Sequence, residues 1–259
     1  MLPLIEPCWP APANVRAFCT TRHGGVSASP YESLNLGQHV GDDATAVQCN
    51  RQRLADCLPQ DTQVCWMEQV HGTRVVTADP GADTARADAQ WSDRPGIACA
   101  VLTADCLPVL LCTVNGDRVA AAHAGWRGLA AGVLEATVDA LAVEPGALLA
   151  WLGPAIGPRV FEVGPEVREA FLHASGTATV ATQSAFRPNP GREGYFFADL
   201  YALARLRLAA AGVAAVYGGD TCTYLHPGTF YSYRRDGPTG RMASIITLLE
   251  DGRGKHIPT

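Results

Sequence analysis

Residues 97–123 read IACAVLTADCLPVLLCTVNGDRVAAAH, and this stretch decides the fold class. Ala98–Leu102 and Pro108–Val114 are apolar runs with the length of a β-strand, and Arg118–His123 is a third strand candidate. The connections between these runs are too short for the helical crossovers that parallel neighbours require. Asn115–Gly116 is a favoured two-residue hairpin turn. The stretch therefore predicts that at least part of the sheet is antiparallel.

The rest of the chain alternates between strand-like and helix-like patterns. This alternation, with an antiparallel part in the sheet, predicts the α+β or mixed α/β class, with a mixed, partly antiparallel sheet flanked by helices. No linker divides the chain, so residues 1–259 are predicted to form a single domain. The other strand candidates are Val15–Thr20, Val64–Glu68, Arg74–Ala78, Leu148–Leu152, Val213–Tyr217 and Ala243–Leu249, and the helix candidates are Thr45–Leu58, Leu129–Ala142, Pro165–Ala174 and Ala198–Ala211.

The composition excludes several classes of protein. The chain has 259 residues, 47% hydrophobic composition and a formal net charge of -5, which permit a large core and disfavour a general nucleic-acid binder. Its apolar runs are strand-sized and its start lacks a basic region followed by an apolar segment, so neither a membrane span nor a signal peptide is predicted. We expect a cytoplasmic protein that binds neither membranes nor nucleic acid, and the sequence predicts no oligomeric state.

The nine cysteines are expected to be mostly reduced and buried, because the chain has no predicted signal peptide and no C-x-x-C pair. Cys106 is an exception. It lies between an acid, Asp105, and a Leu-Pro step at the junction of two apolar runs. A cysteine at the end of a strand, beside a carboxylate, can face a cleft. Cys106 is therefore a candidate for chemistry.

Two histidines also lie at the ends of predicted strands. His71 precedes Gly72 in MEQVHG, and His123 lies shortly before Gly125 in VAAAHAGWRG. Together with Cys106 they offer three nitrogen and sulfur ligands, and three ligands with an open fourth position are typical of catalytic zinc. Without metal, the same residues could pair a thiolate with an imidazole. A purely structural role is the third alternative, since the spacing matches no short metal-binding motif.

Ten segments carry a wider pattern: TTRHGGVS, YESLNLGQHVGDD, NRQRL, MEQVHG, ADAQWSD, TADCLPVLL, AAAHAGWRGLAAGVLE, WLGPAIGP, FEVGPEV and TCTYLHPGTFYSYRRDGPTGRMAS. In this order they closely resemble the bacterial laccase-domain family, whose members are also described as polyphenol oxidases, purine nucleoside phosphorylases and peptidoglycan editing factors. The resemblance covers nearly the whole chain. It implies that His71, Cys106 and His123 bind zinc.

The resemblance implies an enzyme that acts on purine nucleosides, with zinc as its cofactor and nucleoside and phosphate as its small-molecule partners. The implied reactions are phosphorolysis of adenosine, inosine, guanosine or methylthioadenosine, and hydrolytic deamination of adenosine. Phosphorolysis requires cationic groups that anchor phosphate. Arg127 lies in AAAHAGWRGLAAGVLE, and Arg234, Arg235 and Arg241 cluster in SYRRDGPTGR. Of these, Arg127, Arg234 and Arg235 are the predicted phosphate-binding residues.

Proton transfer and base stacking have further candidates. Asp105 is predicted to be catalytic together with the two histidines and Cys106, and Glu68 is an alternative proton carrier. Asp105 could instead fix a loop or orient a metal ligand. The H-x-E and P-C-x-x-C signature of nucleic-acid deaminases is absent. Trp126, Tyr231 and Tyr233 are candidates for stacking on a purine, and packing within the protein is the alternative for each of them.

Other functions stay open at this point. Because relatives are linked to peptidoglycan editing, the same zinc site or thiolate could hydrolyse a muramyl precursor that carries a wrong first amino acid. Copper could bind the same ligands, with Met67 as a soft axial ligand, and oxidise phenols. Seven histidines without a His-x-His pair disfavour a multicopper cluster. A metal-stabilised binding module is disfavoured as well, because structural zinc usually has four protein ligands.

Overall fold

The computed structural model describes residues 2–174 and 180–250, and its core consists of two large β-sheets with helices on their outer faces. The sheets contain both antiparallel and parallel strand pairs, which confirms the predicted α+β class with a mixed sheet. Met1 and residues 175–179 and 251–259, including His256, lie outside the described residues, and the single domain over residues 1–259 stays a prediction. Among the described helices, none has the length and apolar character needed to cross a membrane.

The elements are numbered in chain order. The strands are β1 (Leu4–Ile5), β2 (Val15–Thr20), β3 (Gln63–Cys65), β4 (Met67–Glu68), β5 (Val75–Thr77), β6 (Ala85–Arg86), β7 (Ala89–Ser92), β8 (Ile97–Thr103), β9 (Leu107–Thr113), β10 (Val119–Ala124), β11 (Leu148–Leu152), β12 (Glu162–Val163), β13 (Phe186–Pro188), β14 (Phe196–Ala198), β15 (Ala215–Gly218) and β16 (Met242–Leu248). The helices are α1 (Ala44–Ala55), α2 (Trp126–Ala131), α3 (Val133–Leu141), α4 (Pro165–Ala174), α5 (Val180–Ser184), α6 (Leu200–Ala210) and α7 (Tyr233–Asp236), with a 3₁₀ turn at Pro145–Ala147.

Residues 97–123 contribute strands to both large sheets. The first has the strand order β1-β2-β16-β8-β3 and the second has the order β15-β11-β9-β10-β7-β5, while β12-β14-β13 and β4-β6 form small sheets. The hairpin predicted at Asn115–Gly116 joins β9 and β10 as antiparallel neighbours, with His123 opposite Pro108. Strand β8 belongs to the first sheet, where it pairs with β16 and β3. The chain therefore crosses from one sheet to the other between Thr103 and Leu107.

The central strands are buried on both faces, which explains their continuous apolar runs. Along β8, Cys99 and Val101 pack with residues of the second sheet, whereas Ala98 and Ala100 pack on the opposite face with Leu54 of α1. Alternate residues of β9 face α3 and α6 in the same manner. The layers are α1, the first sheet, the second sheet, and then the helices α2, α3 and α6.

Most predicted elements occur with slightly shifted bounds, but two are divided. Several short elements were not predicted, namely β1, β6, β7, β12, β13, β14, α5 and α7. The predicted strand Val64–Glu68 is β3 and β4, which lie in different sheets. The predicted helix Leu129–Ala142 is α2 and α3, because Gly132 interrupts the helical path with a φ of 103°. Strand β7, the sequence AQWS, is too short and too polar to give a clear strand pattern, yet it lies between β10 and β5.

Replacing Gly132 with alanine is expected to lower the free energy of unfolding by about 1–2 kcal/mol, because left-handed backbone is unfavourable for a residue with a Cβ atom. Gly146→Ala is the matched control, since an added Cβ atom there meets nothing within 4 Å. Urea unfolding followed by circular dichroism measures both variants. Equal unfolding midpoints for the two variants would contradict the left-handed junction between α2 and α3.

Candidate functional site

The structure brings His71, Cys106 and His123 together. Each offers one ligand atom, and these three atoms lie within 4.8 Å of one another. His71 follows β4, Cys106 immediately precedes β9 at the crossing between the sheets, and His123 lies on β10. His71 is exposed, Cys106 is half-buried, and His123 is only 3% exposed. This His-Cys-His trio is therefore accessible from one side and buried on the other.

The backbone turns sharply at two positions of the site. The φ angle is 61° at His71 and 90° at Asp105, the residue before Cys106. Residues other than glycine rarely adopt such angles, and they cluster at functional sites. With these turns, Nε2 of His71 lies 3.9 Å from Sγ of Cys106.

Asp88, which precedes β7, is a fully buried carboxylate that connects two segments of the trio. Its oxygens accept hydrogen bonds from the backbone N–H groups of Val70, His71 and Gly72 at 3.2, 2.8 and 2.6 Å. Oδ1 also accepts a hydrogen bond from Nδ1 of His123 at 2.9 Å. Burial raises the pKa of Asp88, but the hydrogen bonds from His123 and the backbone lower it below its usual value. Asp88 is therefore ionised at neutral pH.

This ionised carboxylate fixes the hydrogen on the His123 ring. Because an ionised carboxylate can only accept hydrogen bonds, Nδ1 of His123 must be the donor. In the neutral ring, Nε2 then carries a free lone pair, which is the arrangement common to metal-binding histidines with a carboxylate partner. The ring of His71 stands edge-on to that of His123, with centroids 4.8 Å apart and an interplanar angle of 78°.

A glycine keeps the space between the three side chains open. A Cβ atom at Gly125 would lie 3.0 Å from Cδ2 of His71, 3.1 Å from Sγ of Cys106 and 3.5 Å from Cε1 of His123. The φ angle of Gly125 is -58°, so the backbone itself does not require glycine here. The requirement is for space, because a larger residue would place its side chain among the three ligand-bearing groups.

Cys106 and His123 influence each other's charge. Burial raises the pKa of the Cys106 thiol, but the charge of His123 and hydrogen bonds with both histidines lower it to about 6. Burial lowers the pKa of His123, whereas Cys106 and Asp88 raise it to about 9. The protein without metal therefore favours a thiolate beside an imidazolium between these pH values. The thiolate is both the nucleophilic form of cysteine and its metal-binding form.

A cavity of about 350 Å³ opens beside the trio, within the size range of small-molecule sites. His39, Gln69, Tyr233 and Arg241 contribute to its lining. Tyr233 is 58% exposed, so its ring is available to a ligand. The Gln69 side chain is fixed, because its amide nitrogen donates to the Leu102 carbonyl at 2.8 Å and its oxygen accepts from the Leu102 N–H at 2.7 Å.

Asp105 anchors the closing segment of the chain and does not line the cavity. Its carboxylate accepts hydrogen bonds from the hydroxyls of Thr223 and Ser232, at 2.6 and 3.0 Å, and from the backbone N–H of Arg234 at 2.7 Å. The side chain is buried. These contacts tie the loop before Cys106 to α7, in agreement with the alternative that Asp105 fixes a loop.

The three arginines predicted to bind phosphate lie outside the cavity lining. Arg127 stacks on its neighbour Trp126, with its guanidinium carbon 4.4 Å from the ring centroid, and Arg234 donates to the carbonyl of Glu162 at 2.7 Å. The guanidinium N–H groups of Arg235 donate to the carbonyls of Thr223, Tyr224 and Phe230 and to both carboxylate oxygens of Asp236.

Two of the three stacking candidates are packed within the protein. Tyr231 is fully buried, and its hydroxyl donates to the Tyr31 carbonyl at 2.6 Å. Trp126 is half-buried and packs against the core on the helical side of the second sheet. Tyr233 alone of the three lines the cavity.

Residues 16–249 match the family described as multi-copper polyphenol oxidoreductase laccase. The chain belongs to this laccase family. A purine nucleoside phosphorylase of Pseudomonas aeruginosa is 59% identical to it, over 95% of this chain and 98% of the relative. The purine nucleoside phosphorylase YfiH of Escherichia coli is 54% identical, over 96% of this chain and 100% of the relative. The motif resemblance and the prediction of an enzyme are confirmed.

A solved structure from the same family supports the fold. The crystal structure of a Neisseria meningitidis protein superposes with a TM-score of 0.90 at 51% sequence identity, and the match covers 95% of this chain and 99% of that chain. The structural similarity extends across both large sheets, because the match covers almost the whole of this laccase-family chain.

The family description refers to several copper ions, whereas the described residues provide one set of three metal ligands. Within residues 2–174 and 180–250, the His-Cys-His trio is the only group of three or more His, Cys, Asp and Glu side chains placed to hold a metal ion. Met67, the suggested axial ligand for copper, packs in the cluster between the two sheets. The family and the geometry support a metal-binding site at the trio, and the family description leaves copper as an alternative to zinc.

Sequence reasoning missed Asp88, Gly125 and Gln69 as parts of the site. Asp88 lies in the quoted motif ADAQWSD, Gly125 in AAAHAGWRG and Gln69 in MEQVHG, so their motifs were noticed, but the predicted roles went to other residues of the motifs. The signal that could have singled out Asp88 is an acid directly before a buried strand, since such an acid must find donors.

Replacing Asp88 with asparagine is expected to weaken zinc binding by about 10- to 100-fold, because the partner that orients the His123 ring loses its charge. Competition with a coloured chelator measures the zinc affinity. Asp139→Asn, at an exposed position of α3, is the matched control and is expected to bind zinc like the unmodified protein. Unchanged zinc affinity in folded Asp88→Asn protein would rule out this orienting role.

In protein stripped of metal, the rate at which iodoacetamide labels Cys106 is expected to rise as the pH passes through about 6. The lowered pKa means that the thiolate is present above this pH and is protonated below it. Peptide mass mapping quantifies the labelling, and the exposed Cys8 serves as an internal reference for the reagent at each pH. A midpoint above about pH 8, near that of an ordinary thiol, would contradict the coupling of Cys106 to His123.

Proposed function

We propose that this laccase-family protein is a zinc-dependent purine nucleoside phosphorylase of the cytoplasm. One observation carries the proposal: the oriented His-Cys-His trio borders a cavity that also presents an exposed tyrosine and an arginine. Relatives at 59% and 54% identity are named purine nucleoside phosphorylases. Adenosine, inosine, guanosine and methylthioadenosine are the proposed substrates, and hydrolytic deamination of adenosine is a proposed second activity.

The residues of the trio fit a zinc ion. Imidazole nitrogen and thiolate sulfur are ligands that zinc prefers. The lowered pKa of Cys106 favours its thiolate, and the missing side chain of Gly125 leaves the space between the ligands free. His71, Cys106 and His123 would hold the ion at the edge of the cavity. A zinc ion bound there supplies a positive charge that polarises an oxygen atom of a reactant.

Phosphorolysis exchanges one bond at C1′ of the ribose for another. The bond between C1′ and the purine nitrogen breaks, and its electron pair leaves with the base. A phosphate oxygen forms the new bond to C1′, and the proton given up by hydrogen phosphate ends on the purine. The chain therefore has to align the base, the ribose and phosphate, and to keep competing water from C1′.

Tyr233 is the residue that we propose to stack on the purine. Its ring lines the cavity and is exposed, which separates it from the packed rings of Tyr231 and Trp126. Aromatic side chains that face a cavity offer a flat apolar surface to a base. The rigid Gln69 side chain on the neighbouring wall keeps the end of β8 in place beside the trio.

We propose that Asp105 positions the Cys106 loop and is not the proton carrier. A proton carrier needs an oxygen that can reach the substrate, and three donors occupy the Asp105 carboxylate. Glu68 forms an exposed ion pair with Arg86 at 3.2 Å and does not line the cavity either. The titratable groups that border the cavity, and so remain for proton transfer, are His39, His71, Cys106, His123 and Tyr233.

One observation favours a second candidate, hydrolysis of an amide in a peptidoglycan precursor. Cys106, His123 and Asp88 form a series of nucleophile, base and orienting carboxylate, the arrangement that thiol hydrolases use. In that reaction the Cys106 thiolate would attack the amide carbonyl, and the released serine or glycine would identify it. Copper-dependent phenol oxidation ranks third, since the described residues offer a single set of three ligands.

Incubation of zinc-loaded protein with a metabolite mixture, with and without phosphate, is expected to convert purine nucleosides to free base and sugar phosphate only when phosphate is present. Mass spectrometry identifies the products. Cys106→Ser is expected to lose zinc and turnover together, because one ligand is removed. Cys57→Ser, a half-buried position after α1, is the control that should keep both.

Two outcomes would count against the proposal. Full zinc occupancy in Cys106→Ser would mean that Cys106 is not a ligand. Release of serine or glycine from a nucleotide-linked muramyl precursor, without turnover of any nucleoside, would replace phosphorolysis with the second candidate.

A further inference from the structure

We infer that Arg241 forms the binding subsite for inorganic phosphate, with His39 beside it, and that Arg127, Arg234 and Arg235 serve the fold. The inference rests on the proposed function and adds to it the group that holds the second substrate. Arg241 lines the same cavity as the trio and Tyr233, so an anion bound to it would lie next to both.

The guanidinium of Arg241 has donors to spare. Nη1 donates to the carbonyls of Thr239 and Gly240 at 2.8 and 3.0 Å. Among the described residues, no hydrogen bond involves its Nε or Nη2, and no carboxylate forms an ion pair with it. A guanidinium with two free nitrogens presents the fork that suits a phosphate group.

The arginines that the sequence favoured lack this freedom. The carbonyls around Arg235 and the carboxylate of Asp236 engage its N–H groups on all three nitrogens, so phosphate could bind only by displacing them. Arg234 is directed to the carbonyl of Glu162, and Arg127 lies over Trp126. None of the three lines the cavity. Their contacts stabilise the closing segment and the start of α2.

Arg241 stands beside other positive groups and has no carboxylate in direct contact among the described residues. Burial lowers the pKa of Arg241, and the charges of Cys106 and Asp105 only partly offset this effect. Burial together with the charges of Arg241 and Arg51 lowers the pKa of His39, which places this histidine close to two guanidinium groups. Neither arginine forms an ion pair within residues 2–174 and 180–250. In a chain whose net charge is -5, such a cluster is a local feature, and it favours a small anion.

Arg241 is also held in place before any ligand arrives. Its backbone N–H donates to Oδ1 of Asn35 at 2.9 Å, and its carbonyl accepts from the N–H of Leu36 at 3.2 Å. A Cβ atom at Gly37 would come within 2.8 Å of Cγ of Arg241, so the glycine makes room for the side chain. The guanidinium carbon lies 5.8 Å from the ring centroid of Tyr233. Phosphate and a stacked purine would therefore share one wall of the cavity.

Arginine modification of the zinc-loaded, otherwise unmodified protein tests the subsite directly. Phenylglyoxal is applied with and without inorganic phosphate, and peptide mass mapping gives the rate at each arginine. Phosphate is expected to slow modification of Arg241 by about 10-fold or more, as fits a charge-assisted contact. Arg187, exposed on β13, is the internal control and should react equally in both samples. Unchanged reactivity of Arg241, or no reactivity in either sample, would overturn the inference.

A second arm separates free phosphate from a phosphate group carried by a substrate. Inosine 5′-monophosphate replaces inorganic phosphate in the same protection experiment. Protection by inorganic phosphate alone, at equal concentration, supports a subsite for the second substrate. Protection by the nucleotide without any protection by inorganic phosphate would overturn it.

Substitution then connects the subsite to the reaction. Arg241→Gln is expected to raise the KM for phosphate by about 10- to 100-fold while inosine binding, measured by equilibrium dialysis, changes little. Arg241→Lys keeps the charge and most of the packing but loses the paired N–H groups of the guanidinium, so its phosphate KM is expected to lie between those of the unmodified protein and Arg241→Gln. This variant replaces Arg241→Gln in the test if the glutamine variant does not fold. Arg187→Gln is the matched control. A normal phosphate KM in both Arg241 variants would refute the subsite and leave the proposed function standing.

The two proposals fail in different ways. Protection of Arg241 by phosphate in a protein that phosphorolyses no nucleoside would uphold the subsite and refute the proposed function. Phosphorolysis of nucleosides with no protection of Arg241 by phosphate would uphold the proposed function and refute the subsite.

Discussion

The buried carboxylate of Asp88 is the constraint on which the candidate site depends. A charge removed from water has to be compensated by donors, and here they are three consecutive backbone N–H groups of residues 70–72 and the ring of His123. Satisfying Asp88 therefore fixes the loop that carries His71 and the orientation of His123 at the same time. Asp88 itself is placed by β7, which lies next to β10 in the second sheet.

The remaining member of the trio depends on how the two sheets are joined. Cys106 lies where the chain leaves β8 and enters β9, and Asp105 holds this crossing against the closing segment through Thr223 and Ser232. The site is thus assembled at the edge between the sheets, with the second sheet supplying the buried side and the C-terminal segment supplying Tyr233 and Arg241 to the cavity wall. A family named for copper oxidation here carries a compact set of three ligands beside a cavity lined by both polar and apolar residues.

Local patterns in the sequence were enough for the hairpin at Asn115–Gly116 and for most helices and strands, because turn chemistry and periodicity are local. The trio was found as an unusual set and then through the family motifs. Sequence did not predict that β8 and β9 lie in different sheets, since strand pairing depends on long-range packing. Nor could it separate Arg241 from Arg235, because their difference is which carbonyls and carboxylates come within reach in the folded chain.

X-ray absorption at the zinc edge of the metal-loaded protein shows directly whether His71, Cys106 and His123 hold one zinc ion. We expect one sulfur neighbour at about 2.3 Å and two imidazole nitrogens at about 2.0 Å, with the sulfur signal lost in Cys106→Ser. A shell without sulfur, or a spectrum unchanged by that substitution, would contradict this expectation.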